Sequence, residues 1–176
     1  MLNEIVLAGF GGQGILFAGK ILAYAGLMDS KEISWLPSYG PEMRGGTANC
    51  SVCISDDPIG SPLVIDPDML IVMNEPSFDK FIDHVKPGGI VIADSSMIEK
   101  KSDRDDISVF YVPASSLADE NGMTGMANII LLGKFIKETN IVSVDTLKSA
   151  FEKAISARKK NLVDVNMNAV KIGMEQ

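Results

Sequence analysis

The stretch that could do chemistry comes first: Glu4–Ala8 (EIVLA) is a short apolar run, and GFGGQG, residues 9–14, follows it at once. This is G-x-G-x-x-G between a strand and a helix, where glycines permit a tight turn and the helix N-terminus offers free N–H groups to an anion. A dinucleotide site also needs an acidic residue closing the second strand, about 20 residues on, for the ribose hydroxyls. Here that strand ends Ile33-Ser34-Trp35-Leu36-Pro37, and Asp29 and Glu32 fall before it or at its start. A triphosphate loop needs Lys and a hydroxyl after the last glycine, where Ile15 and Leu16 stand. Gly9, Gly11, Gly12, Gln13 and Gly14 therefore keep two readings, a turn that packs helix on strand or an anion contact through backbone N–H groups. Gln13 adds one amide that donates and accepts.

A second segment, SYGPEMRGG over 38–46, carries Tyr39, Met43 and Arg44, side chains enriched at binding surfaces, with Glu42 available to pair. Ser38, Tyr39, Glu42, Met43, Arg44, Gly45 and Gly46 are read as a partner-recognition loop. Cys50 and Cys53 form C-x-x-C, but three residues apart on a strand they point to opposite faces, roughly 10 Å apart, beyond disulfide reach. Packing is their expected role. His84, the only histidine, has no Ser or Cys nucleophile suggested beside it and reads as a surface residue. The ten methionines read as core filler. No residue is assigned a catalytic step or a metal.

The elements that must position these residues follow from periodicity. Ile15, Leu16, Ala18, Ile21, Leu22 and Ala25 recur at helical spacing, with Gly26 as the expected stop. Lys31–Trp35 reads as a strand entering a loop, LPSYGPEMRGG, whose prolines and glycines exclude regular structure. Thr47–Ser55, Met69–Met73, Ile90–Asp94 and Ser108–Val112 read as strands, and PSFDKFIDHV as a helix. Helices are expected near Ser115–Glu120, from about Gly125 to Glu138, from Ser143 to Ala157 with Ser143 as cap, and from Asn161 to Ile172. The alternation predicts an α/β fold, a single Rossmann-like layered domain over residues 1–176, with a largely parallel sheet and a helical C-terminal third.

Composition bounds the function classes. A chain of 176 residues, 46% hydrophobic and 22% charged, has the makings of one globular core. A net charge of −7 argues against nucleic acid and anionic membranes, which reward clustered cations. Its apolar runs fall far short of the roughly 20 residues of a membrane span, and no secretory signal pattern is read, so a cytoplasmic location is expected. Two cysteines are too few for the four thiolates of an iron–sulfur cluster.

With these motifs in hand, the chain resembles the gamma subunit of 2-oxoacid:ferredoxin oxidoreductases nearly end to end. The resemblance runs through GFGGQGILFAGKIL, SYGPEMRGG, CISDDPIGSP, KPGGIVIADSS, VPASSLADE and ANIILLGKF, in that order. WLPSYGPEMRGGTANCSV and MNEPSFDKF are closest to the 2-oxoglutarate type; pyruvate-type relatives tend to carry an arginine inside the glycine loop. The resemblance implies a multi-subunit enzyme in which thiamine diphosphate with Mg attacks the 2-oxoacid. CO₂ leaves, iron–sulfur clusters pass electrons to ferredoxin, and coenzyme A takes the acyl group. This chain shows no Gly-Asp-Gly with paired asparagines for thiamine diphosphate, so none of these cofactors is expected in it. Alpha and beta catalytic subunits and a ferredoxin-like subunit are the implied partners, and the isolated chain, expected to be inactive, would self-associate through the surface meant for them. The glycine loop would then border the coenzyme A path. The competing reading is a stand-alone nucleotide- or CoA-binding module built on GFGGQG.

Overall fold

In the computed structural model, which describes residues 1–38 and 47–176, the apolar runs become one six-stranded sheet. The strands are β1 (Leu2–Phe10), β2 (Glu32–Ser38), β3 (Thr47–Ser55), β4 (Met69–Val72), β5 (Ile90–Asp94) and β6 (Ser108–Val112). Their order is β2-β3-β1-β4-β5-β6. β1, β4, β5 and β6 pair in parallel, whereas β3 is antiparallel to both β1 and β2, so only β3 runs against the rest. The crossover from β1 to β2 leaves one slot open, and β3 fills it.

Alternation sorts the side chains onto two faces. Ile5, Leu7, Cys50, Val52, Ile54, Ile71 and Ile92 face the larger core. There they meet α1 (Ile15–Met28), α3 (Ala114–Glu120) and α4 (Ala127–Thr139), with α5 (Val144–Ala154) packed on α1 and α6 (Asn161–Met174) on α4. Val6, Ala8, Leu70, Val72, Val91 and Ala93 face the smaller core under α2 (Glu75–Phe81), which continues as a 3-10 turn over Ile82–His84. Burial on both faces explains why MLIV and IVIAD are continuous apolar runs.

Several boundaries move for identifiable reasons. Gly26 does not stop α1, which runs to Met28; Gly26 is buried inside it, and a Cβ there would come 2.5 Å from Ile33 Cδ1. Leu36, Pro37 and Ser38 belong to β2, because β2 is an edge strand and an edge tolerates a proline that cannot donate. The helix expected to Ala157 ends at Ala154, and a 3-10 turn, Ala157–Lys159, leads into α6. Local capping was legible: Ser143 Oγ accepts from Thr146 N at 3.0 Å, and Asn74 Oδ1 from Ser77 N at 2.8 Å.

Candidate functional site at the carboxyl edge of the sheet

β1 feeds α1 on one face of the sheet, and its neighbour β4 feeds α2 on the other. In a wound sheet the crevice between two such carboxyl ends is where ligands bind. GFGGQG occupies this position, and Gln13 crosses it. Its Oε1 accepts from Phe10 N at 2.6 Å, and its Nε2 donates to Met73 O at 3.2 Å, just beyond β4. Both ends of the amide are thus engaged by the protein's own backbone, closing the loop and pinning β1 to the β4 exit. Gln13 is a positioning group here.

Two glycines hold left-handed backbone, Gly12 at φ 95° and Gly14 at φ 75°. Gly14 is the N-cap of α1, and its carbonyl accepts from Asn128 Nδ2 at 3.0 Å. This bond ties the start of α1 to the first turn of α4, and Asn128 is 5% exposed. The only sequence signal for Asn128 is a polar side chain at the head of an apolar helical run. Among the described residues no side chain caps α1, and no acidic residue lies in its first turn. Helix geometry leaves the N–H groups of Ile15, Leu16 and Phe17 without intrahelical partners. They border a depression of about 240 Å³ lined by Phe10, Gly11, Gly12, Gly14 and Ala48. Among the described residues this is a backbone donor set of the kind that suits an anion.

A second 240 Å³ depression lies on the other side of the loop, between Gly12, Gln13, Met73, Ser115, Asp119 and Thr124. Its polar groups already serve one another: Thr124 Oγ1 donates to Asp119 Oδ1 at 2.8 Å. At the end of β5 the fully buried Asp94 accepts from Ser96 N at 3.0 Å and from Ser115 Oγ at 2.6 Å. These donors offset the desolvation of a carboxylate and fix α3 against the sheet edge.

The dinucleotide reading weakens further. β3 stands between β1 and β2, so the end of β2 lies two strand spacings, about 10 Å, from β1. That end is Pro37-Ser38, and Glu32 sits at the opposite edge. Of the recognition loop, Ser38 is exposed at the tip of β2, and Thr47, opposite Phe10, begins β3, so the segment's two anchors lie at the same edge as the glycine loop. Tyr39, Glu42, Met43, Arg44, Gly45 and Gly46 lie outside the described residues.

Cys50 faces α1, where its Sγ lies 3.8 Å from Ile15 O, while Cys53 faces the other way, near Glu4, Asp68 and Lys86. Burial pushes the Cys50 thiol up to about 12, outweighing the neighbouring Trp35 indole N–H. Cys53 is also raised, first by burial and then by the Glu4 and Asp68 carboxylates. A thiol reagent at mildly alkaline pH is expected to label neither cysteine in the native protein and both in urea. Fast native labelling of either would contradict this packing. His84 is exposed, 3.3 Å from Asp66.

Comparison with known proteins decides the kinship. The family model described as pyruvate ferredoxin/flavodoxin oxidoreductase matches residues 4–176. The chain belongs to that family. It is 40% identical over 168 residues to the 2-oxoglutarate synthase subunit KorC of Methanocaldococcus jannaschii, covering 93% of this chain and 90% of KorC. It is 37% identical over 175 residues to the ketoisovalerate oxidoreductase subunit VorA of Methanothermobacter thermautotrophicus; this covers 98% of the chain but 36% of VorA, so the chain spans about a third of that relative. Among solved structures of the family, the keto/oxoacid ferredoxin oxidoreductase gamma subunit from Geobacter sulfurreducens superposes with a TM-score of 0.84 at 29% identity, covering 98% of this chain and 96% of that one. Within the family, then, this chain is of the gamma-subunit type. The same fold recurs, at a TM-score of 0.88 and 23% identity, in the 2-oxoglutarate:ferredoxin oxidoreductase from Magnetococcus marinus with 2-oxoglutarate, coenzyme A and succinyl-CoA bound; the match covers 99% of this chain and 30% of that one.

Proposed function

We propose that this chain is the accessory gamma-type subunit of a 2-oxoacid:ferredoxin oxidoreductase acting on 2-oxoglutarate. The complex converts the 2-oxoacid and coenzyme A to acyl-CoA and CO₂, and the two electrons released reduce ferredoxin. The near full-length kinship with KorC carries this reading. The chain's own groups support an accessory share of the work. Cys50 and Cys53 lie on opposite faces of β3 and cannot jointly ligate a cluster, and the sequence carries no Gly-Asp-Gly with paired asparagines, so the iron–sulfur centres and the thiamine diphosphate with Mg are assigned to alpha, beta and ferredoxin-like partners.

In this reading Gly9, Gly11, Gly12, Gln13 and Gly14 shape the edge that borders the coenzyme A path, with the α1 N-terminus meeting its phosphates. Ser38, Tyr39, Glu42, Met43, Arg44, Gly45 and Gly46 form the partner-facing loop. Exposed apolar side chains on Leu36, Leu63 and Ile65, the last 77% exposed, add apolar surface for docking. Among the described residues no helix is long and apolar enough to cross a membrane, and a cytoplasmic location goes with the assignment.

Co-expression with a thiamine-diphosphate subunit pair and a ferredoxin-like subunit is expected to yield a complex that reduces ferredoxin with 2-oxoglutarate and coenzyme A. Turnover by the isolated chain supplied with thiamine diphosphate and Mg would overturn the accessory role. Saturable binding of NAD or ATP to the lone chain, read by calorimetry, would favour the stand-alone nucleotide module instead.

A further inference from the structure

α5 is seated on α1 and α6 on α4, and the space between the two outer helices is left as a groove. It consists of two adjoining depressions of about 530 and 510 Å³ that share Lys148 and Asp164. Ile155 and Val163 line one part, and Met123 and Met167 the other. The two depressions adjoin and open to solvent, an arrangement suited to a polypeptide segment more than to an enclosed small molecule.

Its charge runs against the rest of the protein. The chain carries −7 overall, yet the groove is lined by three cations, Lys148, Lys160 and Lys171, against two carboxylates, Glu152 and Asp164, with Arg158 and Lys159 on the 3-10 turn that precedes α6. Elsewhere Lys31, Lys86, Lys100 and Arg104 sit in ion pairs, and in the groove Lys171 pairs with Glu175. Among the described residues Lys148, Arg158, Lys159 and Lys160 are in none. Gathering cations around an apolar floor raises the local potential, and an acidic partner relieves it.

We propose that the α5–α6 groove docks an acidic, partly apolar segment of another polypeptide. Its carboxylates pair with Lys148, Lys160 and the Arg158–Lys159 turn, while an apolar side chain rests on Ile155 and Val163. Glu152 and Asp164 decide between anions: set within the groove, they repel an unbroken line of phosphates, whereas a peptide can place apolar residues opposite them. This inference goes beyond the accessory role and does not depend on which 2-oxoacid the complex uses.

The test uses the full chain and a short fluorescein-labelled peptide alternating Glu and Leu, followed by anisotropy. Saturable binding is expected, weakening as salt is raised and absent for the same peptide with Gln in place of Glu. Lys148 and Lys160 are both exposed, so the double variant Lys148→Glu/Lys160→Glu should keep its circular dichroism while losing about tenfold or more in affinity. Lys80→Glu, on α2 across the sheet, should bind like the unaltered chain. No saturation, equal binding of the Gln peptide, unchanged affinity in the double variant, or tighter binding of a single-stranded oligonucleotide or of phosphatidylserine vesicles would each overturn the proposal.

Discussion

Gly173→Ala is expected to destabilise the protein by roughly 2 kcal/mol, although alanine improves on glycine in an isolated helix by about 1 kcal/mol. The sign reverses because of the α4–α6 crossing. A Cβ at Gly173 would fall on Ile130 O, with Ile130 C at 2.8 Å and Lys134 N at 3.0 Å. At Gly133 the reciprocal clash is with Val170 O, and Val170 Cα lies at 2.9 Å. These are backbone atoms, which no rotamer change can move aside. The helices must separate, loosening Ile130, Phe135, Ala169 and Val170, all at most 1% exposed. Urea and thermal unfolding followed by circular dichroism should show the midpoint falling by about 4–8 °C for a chain of this size. Gly133→Ala should act alike, and the double variant should lose less than the sum, because one separation of the helices relieves both clashes. A midpoint unchanged or raised by Gly173→Ala would refute this close approach.

That crossing also marks where sequence reading stops. Periodicity found α4 and α6, and the alternation of strands and helices found the layered class, because both report local burial. Thr47–Ser55, Ile90–Asp94 and Ser108–Val112 fall where β-branched, apolar and turn residues place them. The partnership of Gly133 with Gly173 joins two glycines forty residues apart on different helices, and no local pattern encodes it. The same holds at the sheet edge. Gln13 was legible as an amide of interest, but its engagement with Met73 O depends on β4 lying beside β1. Asn128 reaches Gly14 O across 114 residues. Gly26 reads as a stop and sits inside α1, because a glycine needed for close packing looks, in one dimension, like a glycine needed to end a helix. Pro37 reads as loop in the sequence and belongs to β2 in the structure, because edge position is a property of the sheet, not of the strand. The missing acid after β2 was legible, and the insertion of β3 beside β1 supplies the geometric half of that argument.

Gly14→Ala and Gly12→Ala together separate the two roles left to GFGGQG. At Gly14 the backbone is left-handed, which costs an alanine about 1–2 kcal/mol. Its Cβ would also strike Asn128 Nδ2, and breaking the Asn128–Gly14 hydrogen bond leaves a buried amide unpaired at about 1–3 kcal/mol. A loss near 3 kcal/mol is therefore expected for Gly14→Ala, read as a lower urea midpoint; a change below about 1 kcal/mol would show that the α1–α4 tie carries little. Any fall in activity of that variant follows from lost structure and says nothing of a ligand. Gly12 differs: its φ is also positive, but among the described residues an added Cβ meets nothing within 4 Å, so the strain of about 1–2 kcal/mol is the cost they impose. Gly12 itself lines the depression beside the first turn of α1. If the free N–H groups of that turn receive the phosphates of coenzyme A in the assembled oxidoreductase, Gly12→Ala should raise KM for coenzyme A about fivefold, the equivalent of one hydrogen bond, and leave KM for 2-oxoglutarate unchanged. An unaltered KM for coenzyme A would assign the loop to packing alone. Gly12 is thus the position at which an anion contact and a tight turn give different answers, because there a side chain costs the turn only backbone strain, whereas it obstructs the contact.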